Sequence, residues 1–301
     1  MKKTFAALAA LVAAFILIGC GPAAPGAKGQ DIVSAEEALE FMAAGGAVLV
    51  DANTGVAYKK RHAEGAVSIP RTAIVVNEPV KNMLAPANQI ERVMEEAGIS
   101  NDTLVLAYDD NKNMDAARLW FTLKAYGHDQ VKVVSGGLPA LAAAGAAVVA
   151  DIPSPAPGDF AAGPLNTEMF INTRDIRGRV DEPPADYVLV DTRSLEEFNE
   201  GSIPGAVCLD FSGSNFPDNT FRPVNHIRIR YLEENIDYDD EVALFCKTSI
   251  RGAHTYLVLH NAGYRNLKLY DGAWLAWTAN PMNPVYVPEG AELNLNAADQ
   301  S

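Results

Sequence analysis

The chain has 301 residues, enough for two ordinary domains. Its 49% hydrophobic and 21% charged content is that of a globular protein, not of a disordered or wholly membrane-embedded one. A formal net charge of −14, with no basic stripe to offset it, excludes nucleic acid as a partner. An anionic substrate would have to be captured by local positive charge against the field of the whole molecule.

The first residues read as a targeting segment. Met1-Lys2-Lys3 supplies a positive start, and Phe5 to Ile18 is apolar but short for a bilayer span. Leu17-Ile18-Gly19-Cys20 resembles the bacterial lipobox, in which the cysteine is lipidated and becomes the first residue of the mature protein. The expectation is a lipoprotein signal peptide over 1–19, lipidation of Cys20, and a Gly/Pro/Ala-rich tether over 20–29. Acyl chains on Cys20 would then hold the protein at a membrane of the bacterial cell envelope, facing the periplasm or the exterior.

A first domain is expected over 30–150. Val33 to Gly45 has the apolar spacing of a short helix, with Ser34 and Glu37 forming a capping box. Ala47-Val48-Leu49-Val50-Asp51 reads as a buried strand ending in a carboxylate, and His62 to Pro70 follows. Next come a helix near Asn88 to Ala97, a strand over Thr103 to Tyr108, and the polar loop Asp109-Asp110-Asn111-Lys112-Asn113. A helix over Asp115 to Tyr126 and a strand over Val131 to Val134 complete the half. A Pro-rich stretch then marks a stiff linker over 151–168.

The second half, 169–290, repeats this order ahead of a tail over 291–301. Tyr187-Val188-Leu189-Val190-Asp191 matches the first strand at an offset of 140 residues, and Gly205-Ala206 matches Gly65-Ala66 at the same offset. Register kept over so long a stretch points to two homologous domains. Strands alternating with helices predict an α/β fold, each domain a mainly parallel sheet with helices on both faces. Sites in such sheets lie beyond the carboxyl ends of the strands, where Asp51, Asp191 and Cys246 fall.

Cys246 is the chemical centre of the second half. The apolar run Val242 to Phe245 ends in it, a short polar loop follows, and a helix is expected from about Gly252 to Asn261. A cysteine between a buried strand and a helix N-terminus sits among unpaired N–H groups and the positive end of a dipole. Lys247 and Arg251 add cationic charge. This setting favours the thiolate, the nucleophilic form. The other cysteine, Cys208, lies in the apolar run Gly205-Ala206-Val207-Cys208-Leu209 and is expected to fill core without pairing to Cys246. No cofactor motif and no metal-ligand spacing occur.

Together these pieces resemble the rhodanese (thiosulfate sulfurtransferase) family in its tandem two-domain form. They are Val190-Asp191-Thr192-Arg193, Glu196-Glu197-Phe198, Gly201 to Ala206, the Cys246 loop and Tyr270-Asp271-Gly272-Ala273-Trp274, with counterparts in the first half. The resemblance implies that Cys246 takes the outer sulfur of a small anionic donor such as thiosulfate as a persulfide and passes it to a thiophilic acceptor. It further implies that the loop residues Lys247, Thr248, Ser249, Ile250 and Arg251 cradle the sulfur, that Arg193 binds substrate, and that Asp191 supports Arg193 or the loop. Arg251 would fork onto the donor's oxygens.

The first half departs from the pattern, with Asp109 for Cys246, Asn53 for Arg193 and about Met114 for Arg251, and is read as inactive and structural. Tandem members of the family usually carry Thr or Ser where Arg251 stands, so mercaptopyruvate or a thiol persulfide remains an alternative donor. A non-catalytic persulfide carrier tethered to the membrane is a second alternative. A cysteine phosphatase is disfavoured, because four residues separate Cys246 from Arg251 where those enzymes have five. His62 and His254 are read as structural, and Trp274 and Trp277 as packing residues.

Overall fold

The computed structural model describes residues 29–288; the signal peptide, Cys20, most of the tether and the 291–301 tail lie outside them. In the first domain the elements are β1 (Ile32–Val33), α1 (Ala35–Ala44), β2 (Ala47–Asp51), α2 (Gly55–Lys60), β3 (His62–Ala63) and β4 (Val67–Ser68), then β5 (Val75–Val76), β6 (Met83–Leu84), α3 (Ala87–Glu96), β7 (Leu104–Tyr108), α4 (Met114–Ala125), β8 (Val131–Val134), α5 (Gly137–Ala143) and β9 (Val148–Val149). The second domain holds α6 (Thr173–Asp181), β10 (Tyr187–Asp191), α7 (Leu195–Glu200), β11 (Val207–Cys208), α8 (Val224–Glu233), β12 (Glu241–Phe245), α9 (Ile250–Ala262), β13 (Leu267–Leu269) and α10 (Ala273–Thr278).

The two main sheets run in the orders β1-β8-β7-β2-β4 and β11-β10-β12-β13, and every pairing within them is parallel. Among the described residues antiparallel pairing is found in β3 with β9, in the small hairpin β5–β6, and in isolated bridges at Ser202–Tyr286 and Asn215–Phe221. Strand alternation explains the layers. In the first domain Val50, Val105 and Val133 face α3 and α4, while Leu49, Leu106 and Val134 face α1 and α5. In the second, Val190, Val242 and Leu244 face α8 and α9, while Leu189, Ala243 and Phe245 face α6 and α10.

The α4 and α9 sides of the two sheets belong to one continuous apolar core, so the domains are joined by packing and not only by the connecting chain. That connection is no free spacer. Phe160 is buried, Gly158 N–H donates to Glu95, Gly163 N–H donates to Tyr126, and Asn101 exchanges hydrogen bonds with Ala161. The capping box of Ser34 and Glu37 forms as predicted. The helix expected from Gly252 instead begins at Ile250, because Ser249 takes the left-handed conformation at φ 66° and turns the chain straight from loop into helix.

Candidate active site

Four residues of β12, Val242 to Phe245, are fully buried, and the strand delivers Cys246 to the carboxyl edge of the sheet with only 1% of its surface exposed. The loop behind it is sewn to the start of α10. Trp274 N–H donates to the Cys246 carbonyl at 3.0 Å, and Leu275 N–H donates to that of Lys247 at 3.3 Å. The Ser249 hydroxyl, fully buried, reaches the carbonyls of Tyr270 at 3.0 Å and Asp271 at 2.5 Å. The Ser249 hydroxyl therefore shapes the loop, holding it to the turn before α10. Ile250 is buried as the first residue of α9, whereas Lys247 and Thr248 stay half-exposed at the mouth of the loop.

Arg251 stands in the first turn of α9, against Cys246, and is held by a fork. Its Nη1 and Nη2 donate to the two oxygens of Glu197 at 2.5 and 2.8 Å. Glu197 is itself placed by the capping box of α7, where its carboxylate accepts from Ser194 N–H. Burial alone would raise the Glu197 carboxyl, but Arg251 and the Ser194 N–H outweigh that and hold it at about 2. Burial likewise opposes charge on Arg251, and Glu197 and Cys246 more than reverse it. Glu197 sits in the Glu-Glu-Phe motif but sequence reasoning assigned it no role. The pattern Ser194-x-x-Glu197 was the available signal for its placement, though not for its partner.

Arg193 was expected to bind substrate. In the structure its donors go to Asp191, at 2.9 and 2.6 Å, and to the Gly201 carbonyl at 2.7 Å, and its guanidinium stacks 4.7 Å from the centre of the Trp274 ring. Asp191 thus orients Arg193, and Arg193 supports Trp274, whose backbone holds Cys246. Cys208 corrects another expectation: it is half-buried at the edge strand, not core filling. Burial first, then the charges of Asp191 and Asp210, push its thiol up to about 11. Cys208 and Cys246 are both free: Cys208 and Phe245, the residue before Cys246, pair with Asp191 from opposite sides, so two strand spacings, about 10 Å, part the strands that carry the thiols. His62 bonds to the carbonyls of Tyr58 and Asp151, and Trp277 packs the core with its indole N–H on Pro284. His254 is fully buried against Phe211 and Phe221, and burial lowers it to about 3, leaving it neutral.

The first domain shows what such a loop does to an anion. Asp109 follows β7 as Cys246 follows β12, and its carboxylate accepts three backbone N–H groups, from Asn111 at 2.5 Å, Asn113 at 2.9 Å and Ala116 at 2.7 Å. The loop is an anion nest occupied by its own side chain. Burial, then the neighbouring Asp115, push this carboxyl up to about 7 against the pull of those donors. Asn113 caps α4 at φ 62° as Ser249 caps α9 at φ 66°, so Ile250 corresponds to Met114 and Arg251 to Asp115. Sequence reasoning placed Met114 there because the first loop is one residue longer between the strand and the cap. The charge at that position is inverted: Asp115 pairs with Arg71 at 2.8 Å where Arg251 pairs with Glu197.

A rhodanese-like domain model matches the chain twice, over residues 34–144 and 173–280. The thiosulfate sulfurtransferase of Azotobacter vinelandii is 29% identical over 247 residues, covering 79% of this chain and 90% of its own. The sulfur carrier protein TtuD of Thermus thermophilus is 29% identical over 219 residues, covering 66% and 76%. The anaerobic ergothioneine biosynthesis enzyme of Chlorobium limicola shares the fold, with a TM-score of 0.76 at 21% identity over 85% of this chain and 70% of that one. With two matched copies spanning most of its length and sulfurtransferases among its relatives, this chain belongs to the rhodanese family as a tandem, rhodanese-type sulfurtransferase.

Proposed function

We propose that the protein moves a sulfane sulfur from thiosulfate to a thiophilic acceptor through a persulfide on Cys246. The Cys246 thiolate attacks the outer sulfur of thiosulfate. The bond between the two donor sulfurs breaks, sulfite departs with its electron pair, and a persulfide anion remains on Cys246. Cyanide or a thiolate then attacks that outer sulfur, and the Cys246 thiolate is regenerated.

One observation carries this reading: Cys246 closes a strand beside Arg251 at the start of a thirteen-residue helix, in a loop whose first-domain counterpart gathers three N–H groups on an anion. That arrangement stabilises negative charge on a terminal sulfur without consuming a base. Arg251 is engaged by Glu197, so the donor is attracted to its remaining positive face and not to a free guanidinium. A second reading, a sulfur carrier without turnover of its own, takes support from the similarity to the Thermus carrier protein.

Intact-mass measurement after incubation with thiosulfate tests the mechanism. The gain of one sulfur atom, lost in Cys246→Ser and discharged by cyanide, is expected; an unchanged mass with a free thiol would sink it. Steady-state rates with thiosulfate and mercaptopyruvate, each with cyanide as acceptor, then assign the donor, and uptake without turnover would select the carrier reading. We further propose that a lipid on Cys20 anchors the protein at the cell envelope. Recovery of Cys20→Ala in the soluble fraction, with the unaltered chain in the membrane fraction, is the expected outcome. Among the described residues no helix is long and apolar enough to cross a membrane.

A further inference from the structure

The hairpin of the first domain, β5–β6, reaches across to the second domain's loop. Asn82, at its turn, donates its side-chain amide to the Thr248 hydroxyl at 3.1 Å, two residues after Cys246. Asn82 is itself held: its carbonyl accepts from Arg118 Nη2 at 3.0 Å. Arg118 projects from α4, is fully buried, and forms an ion pair with Asp271 at 2.8 Å. Asp271 also accepts from Leu84 N–H of the hairpin at 2.7 Å, and its carbonyl receives the Ser249 hydroxyl. Two successive loop residues, Thr248 and Ser249, are thereby tied to one buried network whose cation, Arg118, comes from the first domain.

The internal repeat supplies a control. The second domain reaches back over the Asp109 loop in the same way: Asn219 lies at φ 66° where Asn82 lies at φ 65°, and Phe221 N–H meets Ser135 as Leu84 N–H meets Asp271. On that side the charges are missing. Ser135 stands for Asp271, and His254, fully buried with neither ring nitrogen hydrogen-bonded, stands for Arg118. The Asn219 side chain does not repeat the Asn82 contact either; instead its carbonyl accepts from Asn113. Asn215 also clasps that loop, donating its side-chain amide to the Lys112 carbonyl at 3.1 Å, so a clasp is common to both sides and the buried ion pair is what sets the Cys246 side apart.

We propose that the first domain acts as the clamp of the sulfur loop, with Asn82 and Arg118 as positioning residues, Asn82 holding Thr248 and Arg118 holding Asn82 and Asp271. This rests on the reading of Cys246 as the sulfur-bearing thiol. A loop whose N–H groups must converge on one sulfur atom tolerates little displacement, and small errors of placement cost rate more than binding.

Arg118 is unsuited to a first test, because removing it leaves Asp271 charged and unpaired in the interface. Asn82→Gly is clean, since glycine adopts the left-handed backbone without strain and only the amide is lost. It should lower kcat about three- to tenfold, the worth of one uncharged hydrogen bond, with donor KM and unfolding midpoint close to wild type. Thr248→Val should do the same, and the double variant should be no worse than either single one. Asn82→Asp, which can accept the Thr248 hydroxyl proton, should recover kcat while its charge raises KM for thiosulfate. An unchanged kcat in Asn82→Gly, losses that multiply in the double variant, or a loss matched by a fall in unfolding midpoint overturns the clamp. Alkylation of Cys246 by iodoacetamide separates this proposal from the functional one. If the wild type takes no sulfur from thiosulfate, the sulfurtransfer reading fails, and an altered alkylation rate in Asn82→Gly upholds the clamp where an unaltered one ends it.

Discussion

Replacing Asp109 by alanine tests the self-filled nest directly. The carboxylate accepts from three backbone N–H groups, and Asp109 is 1% exposed, so truncation strips all three of their partner. At a net ~1 kcal/mol for each hydrogen bond the loss is about 3 kcal/mol, rising toward ~5 if water does not fill the space. For a chain of this size that lowers the unfolding midpoint by about 6 to 12 °C. The loss should depend on pH with a definite sign. The folded carboxyl, pushed up to about 7, binds its proton more tightly than the unfolded one near 3.8, so the stability Asp109 contributes is fullest below 3.8 and declines as pH rises to about 7. The gap between wild type and Asp109→Ala should therefore narrow from pH 5 to pH 8. Formate, a carboxylate able to occupy the vacated nest, should raise the variant's midpoint and leave the wild type's where it was. Differential scanning fluorimetry across pH, with formate matched against chloride, reads all of this. A variant within about a degree of wild type at pH 5, or a gap that widens with pH, refutes the reasoning.

Glu197→Gln should lower both kcat and donor KM, because Arg251 loses its orienting fork but gains charge free for the donor; steady-state kinetics with thiosulfate measures the pair. Its stability cost should be constant above pH 4.5 and shrink as pH falls toward about 2, since the depressed Glu197 carboxyl contributes only where it is ionised. Arg251→Lys keeps the charge but breaks the two-pronged contact with Glu197, and the rate of sulfur uptake should fall about tenfold or more without recovery at higher thiosulfate. Cys208→Ser should leave sulfur uptake unchanged, and the native protein at pH 8 should show little reaction at Cys208, whose thiol is pushed up to about 11. Asp109→Cys should not create a second sulfur site, because Asp110 and Asp115 flank it where Lys247 and Arg251 flank Cys246; peptide mapping after thiosulfate treatment would show label on Cys246 alone.

The sequence was most informative where period and order carry the signal. The repeat at an offset of 140 residues, the strand ends at Asp51 and Asp191, and the placement of Cys246 between strand and helix all appear in the structure as read. What remained hidden depends on contacts between residues far apart in the chain. Arg251 looked like a free guanidinium for the donor until Glu197, 54 residues away, was found in its fork. Arg193 looked like a substrate ligand, yet Asp191 and Gly201 take its Nε and Nη2 donors and Trp274 one of its faces. Arg118 lies in Ala116-Ala117-Arg118-Leu119-Trp120, a piece of the family resemblance, but no local pattern gives its partner or that of Asn82, which lie across a buried ion pair and 166 residues away at Thr248. Met114 was mistaken for the partner position of Arg251 because counting from the strand ignores one extra loop residue. Counting two residues on from the left-handed caps Asn113 and Ser249 assigns Asp115.

The first domain differs from the second by more than one missing thiol. At each equivalent position the charge that would draw an anionic donor is absent or reversed: Asp109 for Cys246, Asp115 for Arg251, Asn53 for Arg193. The nest itself survives, and the chain fills it with a carboxylate of its own, which relieves three N–H groups that would otherwise lie buried without partners. A fold that converges backbone donors on one point must satisfy them by a bound anion, by water or by a side chain. In the second domain the same point is the proposed sulfur site, and its loop is held by bonds from elsewhere. That support comes through Ser249 to the α10 turn and through Thr248 to Asn82. One loop is thus satisfied by its own carboxylate, and the other is braced from the turn before α10 and from the first domain's hairpin.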